Sequence, residues 1–144
     1  QTMIWRRSFD VAPPPVDTTS PEHPINDPRY AALVAEGLDQ KELPATECLQ
    51  DVIVRVLPYW NDVVVPQLVN NEDVLITAHG NSLRALVMHL EHISKDDIAE
   101  FNIPTGVPRK YTFTANRDVA TVQFMGDAQA IAAATAAVGK QATG

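Results

Sequence analysis

The stretch Asp73 to Leu90, DVLITAHGNSLRALVMHL, decides how the rest of the chain is read. Val74 to Ala78 is an apolar or near-apolar run, rich in β-branched residues and bounded by polar Asn70, Asn71 and Glu72. That composition predicts a strand buried on both faces, as in a parallel sheet. Leu83, Leu86, Val87 and Leu90 then recur at three- and four-residue steps and mark one face of an amphipathic helix. Between the two lie His79, Gly80 and Asn81, so the strand is expected to end in a histidine-glycine turn that feeds a helix N-terminus. In open α/β sheets ligands bind beyond the carboxyl ends of the strands. Unpaired backbone N–H groups and the positive end of the helix dipole make such a turn a natural anion site.

His79 is therefore the leading candidate for chemistry. An imidazole at that place can donate a hydrogen bond to an oxyanion or phosphoryl oxygen, and histidine is the side chain whose charge state changes near neutral pH. Gly80 would allow close backbone approach and an unusual φ. Asn81 could cap the following helix, bind ligand oxygen, or do both with different atoms. A second cationic feature is the pair Arg6 and Arg7. Adjacent residues on a helix point about 100° apart, so one of the two is commonly solvated; the pair reads either as a solvated cationic surface or as a fork-shaped clamp on phosphate or carboxylate. Such a charge-assisted hydrogen bond is worth roughly 1.5–3 kcal/mol. Arg84 reads as a surface residue or as support behind the site. Arg109 and Lys110 read as solvated.

The bulk properties bound the function. One domain is expected from 144 residues. A net charge of −7 argues against general nucleic-acid binding, which needs a basic face. It does not bar an anionic small ligand, because a few converging cations set a local field opposite to the global one. No stretch approaches the roughly 20 apolar residues needed to span a bilayer. The single cysteine, Cys48, excludes an internal disulfide and suits a reducing, cytoplasmic compartment; it is expected to be a buried, inert thiol. His89 and His92 share a helix without an acidic or cysteine partner, so no metal site is expected. The chain opens with Gln1, which suggests a fragment or a processed chain.

Read in order, Gln1 to about Phe9 is expected to be helical, and Pro13 to Pro15 to be extended. Val16 to Glu42 reads as a long surface excursion with one short helical piece near Arg29 to Ala35. Thr46 is the expected N-cap of a helix carrying Leu49, Val52, Ile53, Val56 and Trp60, kinked rather than ended by Pro58. Ser94 to Asp97 is a capping-box-like start of a short helix reaching about Phe101. Lys110 to Thr114 and Val119 to Phe124 form an expected β-hairpin. Gly126 to Val138 is an expected final helix, with Gly139 to Gly144 fraying. Three strands, two of them a hairpin, leave the central Val74 to Ala78 strand short of a neighbour.

Six motifs, in order, resemble the cofactor-dependent phosphoglycerate mutases of the histidine phosphatase superfamily: IWRRSFDVAPPP (Ile4 to Pro15), DPRYA (Asp27 to Ala31), the LP-T-E-C-L run (Leu43 to Leu49), LPYWND (Leu57 to Asp62), AHGNSLRALV (Ala78 to Val87) and NIPTGVP (Asn102 to Pro108). The resemblance covers nearly the whole chain. It implies an α/β fold with a mostly parallel sheet and helices on both faces. It also implies interconversion of 3- and 2-phosphoglycerate, in glycolysis and gluconeogenesis, through a phosphohistidine primed by 2,3-bisphosphoglycerate, with no metal. In that scheme the position of His79 stabilises charge on the phosphoryl group in flight, Gly80 and Asn81 contact ligand oxygen, and Arg6 and Arg7 hold phosphate or carboxylate. The family's Arg-His-Gly-Glu nucleophile motif is not in this sequence, since no histidine here follows an arginine and precedes a glycine. The chain thus reads as the C-terminal portion, residues 1–144, of one mutase-like domain. The nucleophile and the remaining strands are expected in the missing half, and the full-length protein is expected to be a homo-oligomer. Alternatives are a non-catalytic anion-binding or interaction module and a related bisphosphoglycerate mutase or phosphatase. Neither nucleic acid nor a membrane is expected as a partner.

Overall fold

A computed structural model describes residues 1–39 and 43–141. The expectations for 40–42 and 142–144 lie outside the described residues. The described residues contain six α-helices and one hairpin: α1 (Thr2–Arg7), α2 (Pro28–Ala35), α3 (Leu49–Tyr59), α4 (Val65–Val69), α5 (Gly80–Glu91), β1 (Arg109–Phe113), β2 (Val119–Phe124) and α6 (Ala128–Gln141). α1, α2 and the hairpin lie close to where the sequence puts them. The last helix runs on through Gly139 and Lys140, so those residues do not fray. Asp127 starts it, accepting the N–H groups of Gln129 and Ala130 at 3.0 and 2.9 Å.

The long helix after Cys48 is continuous through Pro58 because a π-helical stretch, Trp60–Val64, follows it and runs directly into α4. Proline removes one i→i−4 bond and crowds the preceding turn, and a π-bulge is one way a helix absorbs that defect without stopping. The start of α3 differs from expectation. Thr46 does not cap it; its hydroxyl donates to the carbonyl of Pro13 at 2.5 Å and ties the proline run down. Cys48 is the N-cap, and Asp51 reaches back to accept its N–H at 2.9 Å. Ser94 does pair with Asp97, but the turn it opens is a short 3-10 helix, Asp97–Ala99, that does not reach Phe101.

The core is helix against helix. Leu49 and Val52 of α3 meet Ala85 of α5 and Ile98, with Phe9, Val56, Met88 and Phe101 around them. A second cluster joins Trp60, Val64 and Leu86 to Val74 and to Phe113 of the hairpin. The π segment and α5 therefore cover the hairpin through these side chains. Arg109, expected in solvent, is a half-buried brace instead. Its guanidinium pairs with Glu91 at the end of α5 at 2.7 Å and lies 4.4 Å from the ring centroid of Phe124. Burial, and then the Glu91 carboxylate beside it, push the Tyr111 phenol well above its ordinary pKa.

The expected parallel sheet is not there. Among the described residues the only sheet is the antiparallel pair β1–β2, in register from Arg109 opposite Phe124 to Phe113 opposite Val119, with a bulge between Thr112 and Phe113. Val74 to Ala78 is unpaired, with no backbone hydrogen bond to any described residue. Val74 packs on the Trp60 cluster, but Leu75 is 86% exposed. An apolar groove of about 390 Å³ opens between Glu72–Ile76, α5 and the hairpin, lined by Trp60, Leu83, Leu86 and Tyr111 among others. The physical reason is inventory. A strand needs a partner backbone, and neither outer edge of the hairpin pairs with Val74 to Ala78.

This distribution has a direct consequence for stability. Ile98→Ala, at a fully buried position, should cost about 2–5 kcal/mol in urea unfolding. Leu75→Ala should change stability by less than about 0.5 kcal/mol, because almost nothing is lost from an exposed side chain. A large loss at Leu75 would mean that the segment is paired and covered in solution.

Candidate functional site

The turn between the extended segment and α5 forms as its sequence suggests, but with different roles. His79, not Asn81, is the N-cap of α5: its Nδ1 accepts the N–H of Asn81 at 3.3 Å. A ring whose Nδ1 accepts carries its proton on Nε2 in the neutral tautomer, which leaves Nε2 as a donor. The imidazole is exposed. Asn81 turns its side chain sideways, and its Oδ1 accepts from Arg84 Nη1 at 3.3 Å. Gly80 is the first residue of the helix and has no positive φ; a Cβ there would meet nothing within 4 Å. The unusual φ expected of Gly80 is thus absent, because an ordinary capped helix start suffices to turn the chain here. The orphan N–H groups of the first turn of α5 remain the backbone's contribution to an anion site.

Arg6 reaches this turn from the other end of the sequence. A cavity of about 240 Å³ is lined by Trp5, Arg6 and Ser8, by His79, Asn81, Ser82 and Arg84, and by residues of the α3 region from Glu47 to Arg55. Arg7 does not line it. Its Nη1 donates to the carbonyl of Ala99 at 3.2 Å and its Nη2 to that of Val138 at 3.5 Å, so it fastens α1 to the C-terminal helix. The roughly 100° step between neighbouring helical residues separates the pair in this way.

Arg84 is not a surface residue. Only 6% exposed, it donates through Nη1 to the carbonyl of Arg6 at 3.3 Å and through Nη2 to the carbonyls of Arg7 at 3.1 Å and Ile98 at 2.6 Å. Burial, and secondarily the charge of Arg7, lower its pKa from the ordinary value. Arginine nevertheless stays protonated in proteins. Of the two readings its sequence position allows, surface residue or support behind the site, burial excludes the first; that burial follows from Ala85, Leu86 and Val87 beside it, which turn this stretch of α5 into the core.

Two members of the cavity wall carry no mark in the linear sequence. Glu47 and Arg55 form a fork-to-fork pair, with Nε to Oε1 at 2.6 Å and Nη2 to Oε2 at 3.1 Å. Eight residues separate them, one on the lead-in to α3 and the other two turns along it, so the pair exists only once the helix is folded. The wall then holds three guanidinium groups, Arg6, Arg55 and Arg84, against one carboxylate, Glu47. A net cationic concavity with a helix N-terminus at its edge can hold an oxyanion. Cys48, also in the wall, is buried, and burial together with the Asp51 carboxylate 3.0 Å from its sulfur raises the thiol pKa. A raised pKa makes a poor nucleophile. Among the described residues no three His, Cys, Asp or Glu side chains come together as a metal site would require, and no helix is long and apolar enough to cross a membrane.

Comparison with known proteins identifies the family. The family model of the histidine phosphatase superfamily (branch 1) matches residues 17–127. Two curated relatives, each a 2,3-bisphosphoglycerate-dependent phosphoglycerate mutase, come from Xylella fastidiosa strains 9a5c and M12. Each is 48% identical over 141 residues, covering 98% of this chain and 55% of the relative. The chain thus spans about half the length of the curated relatives it matches.

The wall near Cys48 should respond to acid. Hydrogen bonds from the Cys48 thiol and N–H hold the Asp51 carboxyl below its ordinary value of 3.8. The stability contributed by this cap is therefore complete above the ordinary value and is lost as the pH falls through the lower folded-state value. In an acid titration followed by thermal unfolding, Asp51→Asn should flatten that part of the profile; an unchanged profile would show that the cap does not act in this way.

Proposed function

The chain belongs to the histidine phosphatase superfamily (branch 1), and from that premise we propose that it contributes the phosphate-holding part of a phosphoglycerate mutase site. The observation that carries this reading is the meeting of Arg6 with His79 and Asn81 around one cavity, although more than seventy residues separate them in the chain. Arg6 presents a planar fork suited to a phosphate or carboxylate. His79 offers its Nε2 proton to an oxygen that gains negative charge as the phosphoryl group moves. The first turn of α5, with Gly80 and Asn81, adds backbone donors and a positive dipole end. In phosphoryl transfer the protein's main task is this kind of positioning and charge stabilisation. Arg7 acts one step back, by fixing the helix that carries Arg6.

The relatives are named for dependence on 2,3-bisphosphoglycerate. The donor set here suits one anionic end of such a ligand: cations outnumber the single carboxylate in the wall, and the cavity opens beside exposed His79. When bound, that compound supplies the phosphoryl group that primes the cycle. The phosphohistidine itself needs a nucleophile that the 144 residues do not contain, so turnover is proposed for this chain together with the further portion its relatives possess. The alternative, a module that binds anions without catalysis, predicts the same binding and no recovered turnover.

Two measurements test the proposal. In NMR titrations with 3-phosphoglycerate, His79 and Arg6 resonances should shift together, and Arg6→Ala should weaken binding about tenfold or more. Alone, the chain should show negligible interconversion of the phosphoglycerates. Mixed with a fragment of a relative carrying the Arg-His-Gly-Glu motif it should regain turnover, and His79→Ala should lower that turnover by about 10²–10³. Equal turnover with His79→Ala would remove His79 from the chemistry. In the same titration Glu47→Gln should tighten phosphate binding a few-fold, since it removes the one opposing charge and releases the Arg55 fork.

A further inference from the structure

Arg84 uses its donors in an unusual way for a cation in the wall of an anion cavity. A guanidinium has five N–H donors in a fixed plane. The two Nη atoms are bonded to the carbonyls of Arg6, Arg7 and Ile98 and to Oδ1 of Asn81, and only Nε is without a partner. Among the described residues every acceptor is a neutral oxygen. A buried cation with one donor unmet and only neutral oxygens as its described acceptors is a poor choice for stability, since an apolar side chain of similar volume fills such a space at lower cost. The choice makes sense if the group does something packing cannot.

We infer that Arg84 is the positioning residue of the anion site: it sets the spacing between Arg6 on α1 and the His79–Asn81 turn of α5. This rests on the reading of that cavity given above. α1 is only six residues long, buries none of them and has no side-chain cap; Arg7 ties it to Ala99 and Val138, and its link to the α5 turn runs through its own backbone carbonyls. The guanidinium of Arg84 grips the carbonyls of its last two residues, while the same plane grips Asn81 in the first turn of α5. One rigid group thus spans the two pieces that carry the ligand-facing side chains. Its third carbonyl partner, Ile98, has no exposed surface, and this anchors the plane to the core. With its Nη donors committed to the protein, Arg84 acts through Arg6 rather than as the clamp itself.

A double-mutant cycle on the 144-residue chain, read by NMR titration with 3-phosphoglycerate, separates this from a structural or a purely electrostatic role. Arg84→Lys keeps the charge and loses the planar fork. It should weaken binding about tenfold or more, and in that background Arg6→Ala should cost less than about threefold, because Arg6 is already misplaced. Thermal unfolding of the same samples identifies folded variants. Retained affinity in folded Arg84→Lys, or fully additive effects of the two substitutions, overturns the positioning role while leaving the anion site intact. No loss from Arg6→Ala in the native background instead overturns the reading of the cavity. If Arg84→Lys does not fold, the native chain decides. The Nη protons of Arg84 should be protected from exchange before ligand is added and should keep their shifts after it, while those of Arg6 move. Rapidly exchanging Arg84 Nη protons in the ligand-free chain would overturn the inference.

Discussion

A single buried guanidinium joins two ends of this molecule. α1 buries none of its residues fully and the turn at His79 is exposed, so hydrophobic packing alone does not define their relative position. The Arg84 network does so by direction-dependent bonds to carbonyl oxygens, which hydrophobic contact cannot supply. Around it the helices supply rigidity. α3 packs on α5 through Leu49, Val52 and Ala85, and Ile98 closes the cluster from which Arg84 takes one of its acceptors. The cavity wall is thus built on the α3–α5 core.

The Val74 to Ala78 segment shows the opposite condition. Its side chains are those of a buried strand, yet its backbone finds no partner and Leu75 stands in solvent. The segment still does one job required of it: Val74 docks on Trp60, Val64 and Leu86, and this sets the direction in which the chain enters the His79 turn. The histidine is therefore placed by one half-buried valine and by the capping bond to Asn81 rather than by a sheet.

Much of the site was legible in the sequence because it depends on short-range rules. A β-branched run followed by His-Gly-Asn and a 3.6-residue apolar period announces an extended segment, a turn and a helix N-terminus, and the α5 helix begins at that turn. The hairpin and the proline-tolerant helix were legible for the same reason. Reading failed where an outcome depends on competition between neighbours. Thr46 and Cys48 both stand near the start of α3, and the cap went to Cys48 because Asp51 lies three residues beyond it and the Thr46 hydroxyl is drawn to Pro13. His79 displaced Asn81 as cap because the ring nitrogen reaches the second helical N–H while Asn81 is engaged by Arg84.

By itself the sequence determined the order of the main helices and the hairpin, and the place of the histidine-glycine turn that opens α5, since these follow from side-chain period and turn chemistry within a few residues. Only the tertiary structure decided which arginine faces the cavity, that Arg84 is buried rather than solvated, and that Glu47 and Arg55 belong to the wall. Those outcomes depend on helix azimuth and on contacts between residues as far apart as Arg6 and Arg84, and a linear pattern carries no distance between them. The same holds for the sheet: an apolar run states that a strand would be buried if a neighbour were present, and only the folded chain shows whether one is.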